Sequence, residues 1–139
     1  MNIFDLKDNF CSFDLSYKLR AKNINFNTDT YFYHGMLDVL PQKSVVTKDF
    51  VNSHTLGAAI TPRPTHSMLL AWLRIKYKLW VDVGYEPKDN SSEEPQEVTW
   101  WSFISQIGVL STDKPLFENF GSPEEAYEAA FNYILDNLI

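Results

Sequence analysis

Cys11 and the three histidines, His34, His54 and His66, are the side chains of this sequence best suited to nucleophilic, acid–base or metal chemistry. A thiol becomes a nucleophile when a neighbouring base or positive charge draws off its proton. A structural zinc site needs four ligands, usually at short paired spacings. Neither pattern is present along the chain. Cys11 lies between Phe10 and Phe13 with no base nearby, and the histidines are isolated. Asp38 follows His34 by four positions, but Gly35 and the strand-like surroundings argue against a helical pair. Glu93, Glu94 and Glu97 offer carboxylates in a polar stretch where such charges are ordinarily solvated. The sequence contains no Gly-x-Ser-x-Gly, His-Glu-x-x-His, phosphate-binding loop or dinucleotide fingerprint. The expectation is no catalytic residue, no metal and no cofactor.

Aromatic and basic residues hold more promise for binding. The candidates are Trp72, Trp80, Trp100 and Trp101 and the bases Arg63, Arg74, Lys76 and Lys78, although basic residues do not surround the Trp100-Trp101 pair. Trp100 and Trp101 are consecutive, so in a strand they must point to opposite faces. At most one enters the core. The other, beside Trp80 on a neighbouring strand, would form a protein-binding surface, a dimer interface or a nucleobase platform. The alternative is that residues 1–60 cover it.

The elements that position these residues can be read from periodicity. Ser12 caps a short helix that carries Leu15 and Leu19 on one face and stops at Asn23. Residues 30–34 are aromatic and strand-like, and Ser44–Thr47 forms a short strand. Pro62 and Pro64 make an extended strap, Thr65 caps, and a helix runs from His66 to about Tyr77. Its core stripe is Leu69, Leu70, Leu73 and Tyr77. Leu79, Val81, Val83 and Tyr85 then alternate against Trp80, Asp82 and Gly84, which defines a strand. Residues 97–105 pair with it antiparallel, and a third strand is expected near 107–110. Ser122-Pro123-Glu124-Glu125 starts a final helix through a capping box, with Ala126, Ala130, Phe131, Ile134, Leu135 and Leu138 as its apolar face. The expected fold is a single α+β domain over 1–139. Residues 61–139 supply an α-β-β-(β)-α unit with helices mainly on one face of a small antiparallel sheet. Residues 1–60 add a helix and a strand that extend it.

Composition sets the broad class. The chain is 45% hydrophobic and 15% aromatic, which provides material for a core and argues against disorder. No apolar run approaches membrane length, the N-terminus lacks a secretory pattern, and one cysteine excludes an internal disulfide framework, so a cytoplasmic setting is expected. That setting gives the Asn90-Ser91-Ser92 sequon little weight. Net charge is −6. Residues 61–85 are locally basic, whereas residues 86–139 are acidic. A duplex-binding protein ordinarily presents a broader basic face.

The segments "LSYKLRAKNIN", "TYFYHG", "ITPRPTHSMLLAWLRIKYKLWVDV" and "FGSPEEAYEAAFNYILDNLI" together resemble a group of small phage and prophage-type proteins of gut bacteria. In these an "L.kLk..gf" segment precedes an aromatic strand, a "P-T-x-x-x-(x)-W-L-R" helix leads into a strand, and an "F-x-S-x-E-E-A" helix closes the chain. The likeness spans most of the length outside 35–58. Asn23, where such proteins commonly carry glycine, and the acidic 86–97 loop depart from it. The group has no established activity, so it implies no catalytic residues. The resulting expectation is a non-catalytic accessory protein of a mobile element, in the host cytoplasm, that binds a protein partner or a second copy of itself. Nucleic-acid binding through the basic residues, or interference by mimicry of DNA charge, is the second reading. A small hydrolase using Cys11 or the carboxylates is the third.

Overall fold

The computed structural model describes residues 9–34, 44–53, 60–89, 93–94, 97–110 and 114–139. His54, Asp38 and the Asn90 sequon lie outside the described residues. The chain divides into two compact units, Met1–His66 and Ser67–Ile139. The α+β class is as expected. The strands, however, form two separate three-stranded antiparallel sheets, so the N-terminal strand does not extend the later sheet. Among the described residues, no helix is long and apolar enough to cross a membrane.

The first unit begins with helix α1 (Phe13–Ala21), whose N-cap Ser12 accepts a hydrogen bond from the Leu15 amide. Asn23 ends the helix at φ 60°, and the amides of Asn23 and Ile24 return to the carbonyls of Arg20 and Leu19. That crossed pair satisfies the last carbonyls of the helix, as its sequence predicts. Strand β1 (Thr30–Tyr33) is central, flanked by β2 (Ser44–Thr47) and β3 (Ile60–Pro62). Between the two flanking strands in sequence lies a six-residue helix, α2 (Lys48–Ser53), which has no apolar period to announce it. The proline strap is therefore part of a sheet: Tyr31, Phe32 and Tyr33 pair with Pro62, Thr61 and Ile60. An edge strand tolerates a proline because one side of its backbone needs no partner. Thr65, the residue directly before the helix that follows, forms an isolated bridge with Phe10.

The rings of Phe13 and Tyr17 bring α1 against the sheet. Phe13 meets Phe32 edge-on at 5.4 Å, and both Phe13 and Tyr17 meet His34. His34 Nε2 lies 3.0 Å from Thr61 Oγ1. Burial, and secondarily the positive charge of Arg20, lowers the His34 pKa below its ordinary 6.5. The folded unit thus disfavours the imidazolium, while the unfolded chain takes up a proton near pH 6.5. The contribution of His34 to stability is present above that pH and is lost as pH falls below it. Urea midpoints read from first-unit amide signals should drop between about pH 7.5 and about pH 5.5, and His34→Gln should flatten the drop. An unchanged slope in the variant would assign it to other groups.

The second unit follows from helix α3 (His66–Tyr77), which starts at the division. Leu69 and Leu73 are buried, with Leu70 and Tyr77 half-buried beside them. Lys78 then adopts φ 55° and reverses the chain directly into strand β4 (Leu79–Pro87). β4 pairs along its whole length with β5 (Val98–Gln106), Trp80 opposite Ser105 and Gly84 opposite Trp101. The expected strand at 107–110 is a turn: Ile107 donates to the Lys78 carbonyl, and Gly108 sits at φ 84°. The third strand is β6 (Leu116–Phe120), on the other side of β5. Helix α4 (Pro123–Asn137) packs on one face of this sheet, where Ser102 Oγ donates to the Ala126 carbonyl at 2.8 Å and Phe117 meets Tyr133 at 5.4 Å. Ser122 caps α4 as expected, while Glu125 accepts from the Gly121 amide. Leu138, expected on the apolar face, is 45% exposed, because the helix has ended one residue earlier.

Candidate functional site

Alternation along β5 decides which tryptophan faces which way. Trp100 points with Ser102 and Ile104 toward α4, its ring 5.3 Å from that of Tyr85. Trp101 points to the opposite, outer face with Phe103, and the two rings stack at 5.6 Å with 14° between their planes. Trp80, two positions before Asp82 and four before Gly84 on β4, shares this outer face by the same period.

Gly84 is what lets Trp101 lie down. A Cβ at Gly84 would overlap Cζ2 of the indole and stand 2.7 Å from both Cε2 and Cη2. The two flanking atoms lie only 0.5 Å farther from that Cβ than Cζ2 does (2.7 against 2.2 Å), which places it against the ring's face, not its edge. The indole therefore lies across the glycine, with one face against its backbone. A bulge in β6 completes the surroundings. Trp100 pairs with Phe120 and Ser102 with Phe117, so Glu118 and Asn119 together stand opposite Trp101. Asn119 absorbs the extra residue at φ 69°, a conformation asparagine tolerates better than most residues.

The outer face thus runs from Trp80 through Phe103 to Trp101, with Leu116 alongside. Trp80 is 40% exposed and Leu116 54%. Trp80 Nε1 donates to Asp82 Oδ1 at 2.9 Å, which fixes the indole beside the strand. The guanidinium carbon of Arg74 lies 5.5 Å from the Trp80 ring centre, and Lys114 Nζ lies 5.4 Å from that of Phe103. Lys114 and Leu116 gave no sequence signal, since the segment has neither helical nor strand period. Their place is set by pairing with β5.

The other expected binding residues are distributed elsewhere. Trp72 stays on α3, its ring edge-on to Tyr77 at 5.3 Å with Lys76 Nζ 5.2 Å above it. Lys78 holds the left-handed junction between α3 and β4. Arg63 belongs to the first unit, where its guanidinium carbon sits 3.7 Å from the Phe10 ring centre and 5.7 Å from that of Phe32. Three of the four bases are therefore engaged by aromatic rings of their own unit.

Two other places bear on chemistry. Within the first unit, Cys11 Sγ and a ring nitrogen of His66 lie within 4.8 Å of each other, an adjacency that the sequence reading missed. It arises because the Cys11 amide donates to the Pro64 carbonyl and the His66 amide to the Asn9 carbonyl. Both residues are buried, at 1% and 5% exposure. In the second unit a cleft of about 550 Å³ is bordered by Tyr77, Leu79, Ile104, Tyr133 and Lys114. Among its described lining residues there is no acidic side chain, thiol or imidazole. Glu97, one of the loop carboxylates, is paired with Lys88 at 2.9 Å, and that hydrogen bond lowers its pKa. Comparison with protein-family models, with curated proteins and with solved structures finds no match to this chain.

Proposed function

We propose that this protein is a non-catalytic binding module that docks a protein partner on the outer face of the β4–β5–β6 sheet. The observation that carries this reading is the aromatic row of the outer face, Trp80 exposed and Trp101 and Phe103 half-buried, with Trp101 lying over Gly84 and stacked on Phe103. Rigid aromatic rings bring large contact area at little entropic cost, which is why they anchor protein interfaces. Nucleic-acid binding draws less support, because Arg63, Arg74 and Lys76 lie over rings and acidic side chains border the row. An accessory role in a phage or mobile element is part of the proposal and rests on the sequence resemblance alone.

Site-specific crosslinking tests it. A benzophenone amino acid placed at Leu116 should capture a discrete protein in cells that make this chain. The same probe at Ile75, 78% exposed on α3, should not. No capture from Leu116, or equal capture from both, would remove the outer face from consideration.

A further inference from the structure

The three rings of the outer face are covered unequally. Arg74 stands over Trp80 and Lys114 over Phe103, yet among the described residues no cation stands over Trp101. Instead, Trp101 borders a shallow cleft of about 290 Å³ with Phe103, Leu116, Glu86 and Glu118. Glu86 comes from β4 and Glu118 from the bulged stretch of β6, one on each side of the indole, and both are exposed. The face of an indole is negative at its centre, and two carboxylates deepen that potential. The cleft selects a cation and repels an anion. The other two rings of the face, Trp80 and Phe103, already hold cations of the same chain, so the geometry of such contacts is built into the face.

We propose that this cleft receives an arginine side chain from a basic segment of the partner, its guanidinium laid on Trp101 and its N–H groups donating to Glu86 and Glu118. Arginine fits better than lysine because its flat cation stacks on a ring while its edge donates to carboxylates. A second copy of the chain is a poorer occupant, since two molecules of net charge −6 repel one another. Phosphates of a nucleic acid meet the same carboxylates. This inference rests on the docking-surface reading and names the chemistry of the partner.

The test uses the full chain and an extended synthetic peptide that alternates arginine and valine. Its citrulline counterpart keeps the shape and removes the charge. Binding is followed through the indole N–H signal of Trp101 in two-dimensional NMR. The arginine peptide should shift that signal, the citrulline peptide should not, and Glu86→Gln/Glu118→Gln should weaken binding about tenfold or more. Both substitutions are at exposed positions, so an unchanged spectrum elsewhere verifies the fold. The proposal is overturned if the arginine peptide fails to bind, if the double variant binds it equally well, or if a single-stranded oligonucleotide shifts Trp101 as strongly. Self-association on concentration that moves the same signal would also overturn it, in favour of a second copy. Failure of the peptide with persistent crosslinking from Leu116 removes the arginine receptor and leaves the docking surface standing. Loss of both removes the docking surface itself.

Discussion

Replacing Phe131 by alanine should cost the second unit about 3–5 kcal/mol, the usual penalty for emptying a buried phenylalanine site. Phe131 has no exposed surface and stacks on Tyr127 at 5.9 Å, one helical turn away. Ala126, Ala130, Ile134 and Leu135, also buried, share the same side of α4. A unit the size of Ser67–Ile139 has a total stability of only about 4–11 kcal/mol, so the loss consumes a large part of it. All four tryptophans belong to this unit, which makes tryptophan fluorescence during urea unfolding a reporter of it alone. The midpoint should fall steeply, with Phe131→Leu falling much less because it refills most of the volume. A loss below about 1 kcal/mol in the alanine variant would mean that the core does not close around this ring.

The second large effect is expected at Gly84. Its backbone φ is not in the left-handed region, so glycine is required there for space and not for conformation. An alanine methyl would press into the face of the Trp101 ring, and either the indole leaves or the strands part. The cost should be about 1–3 kcal/mol, typical of forced overpacking. The same change should abolish partner capture from Leu116, because Trp101 is displaced from the aromatic row. A double-mutant cycle separates this clash from a general effect on the strand. In a Trp101→Ala background, Gly84→Ala should become neutral or slightly stabilising, since alanine restricts the unfolded chain. An equal penalty in both backgrounds would disconnect Gly84 from Trp101.

Much of the secondary structure was legible because it is encoded by near neighbours. Ser12 and Ser122 cap, Asn23 stops, and the switch from helical to alternating period at Lys78 marks where α3 becomes β4. What escaped was decided by residues distant in sequence. Nothing local distinguishes one sheet of many strands from two sheets of three, because that depends on which edges find partners. β6 is short and bulged at Asn119, so it lacks the alternation that reveals β4 and β5. Cys11 and His66 are brought together by backbone pairing of Phe10 with Thr65, which side-chain type does not announce.

The candidate face was half legible. Alternation requires Trp100 and Trp101 to part, and it puts Trp80 on the same side as Gly84. The choice between the two tryptophans came from the partners across the ladder. Gly84 leaves room for a flat ring opposite Trp101, while Ser102, next but one to Trp100, bonds to the backbone of α4. Glu86 and Glu118 looked like members of a solvated acidic population. Only pairing with β5 sets them on either side of one indole.

The hairpin register also has a consequence for how this sequence can drift. Lys88 and Glu97 close the far end of the β4–β5 ladder, with a backbone hydrogen bond and an ion pair between them. Insertions or deletions between those two positions leave every pair below them in place. A single residue gained within β5 ahead of Trp100 does something different: it exchanges the two tryptophans, turning one side of the sheet inside out. Descendants of this chain should therefore vary freely in the length of that connection while holding the spacing from Gly84 and Trp101 to the ends of their strands constant.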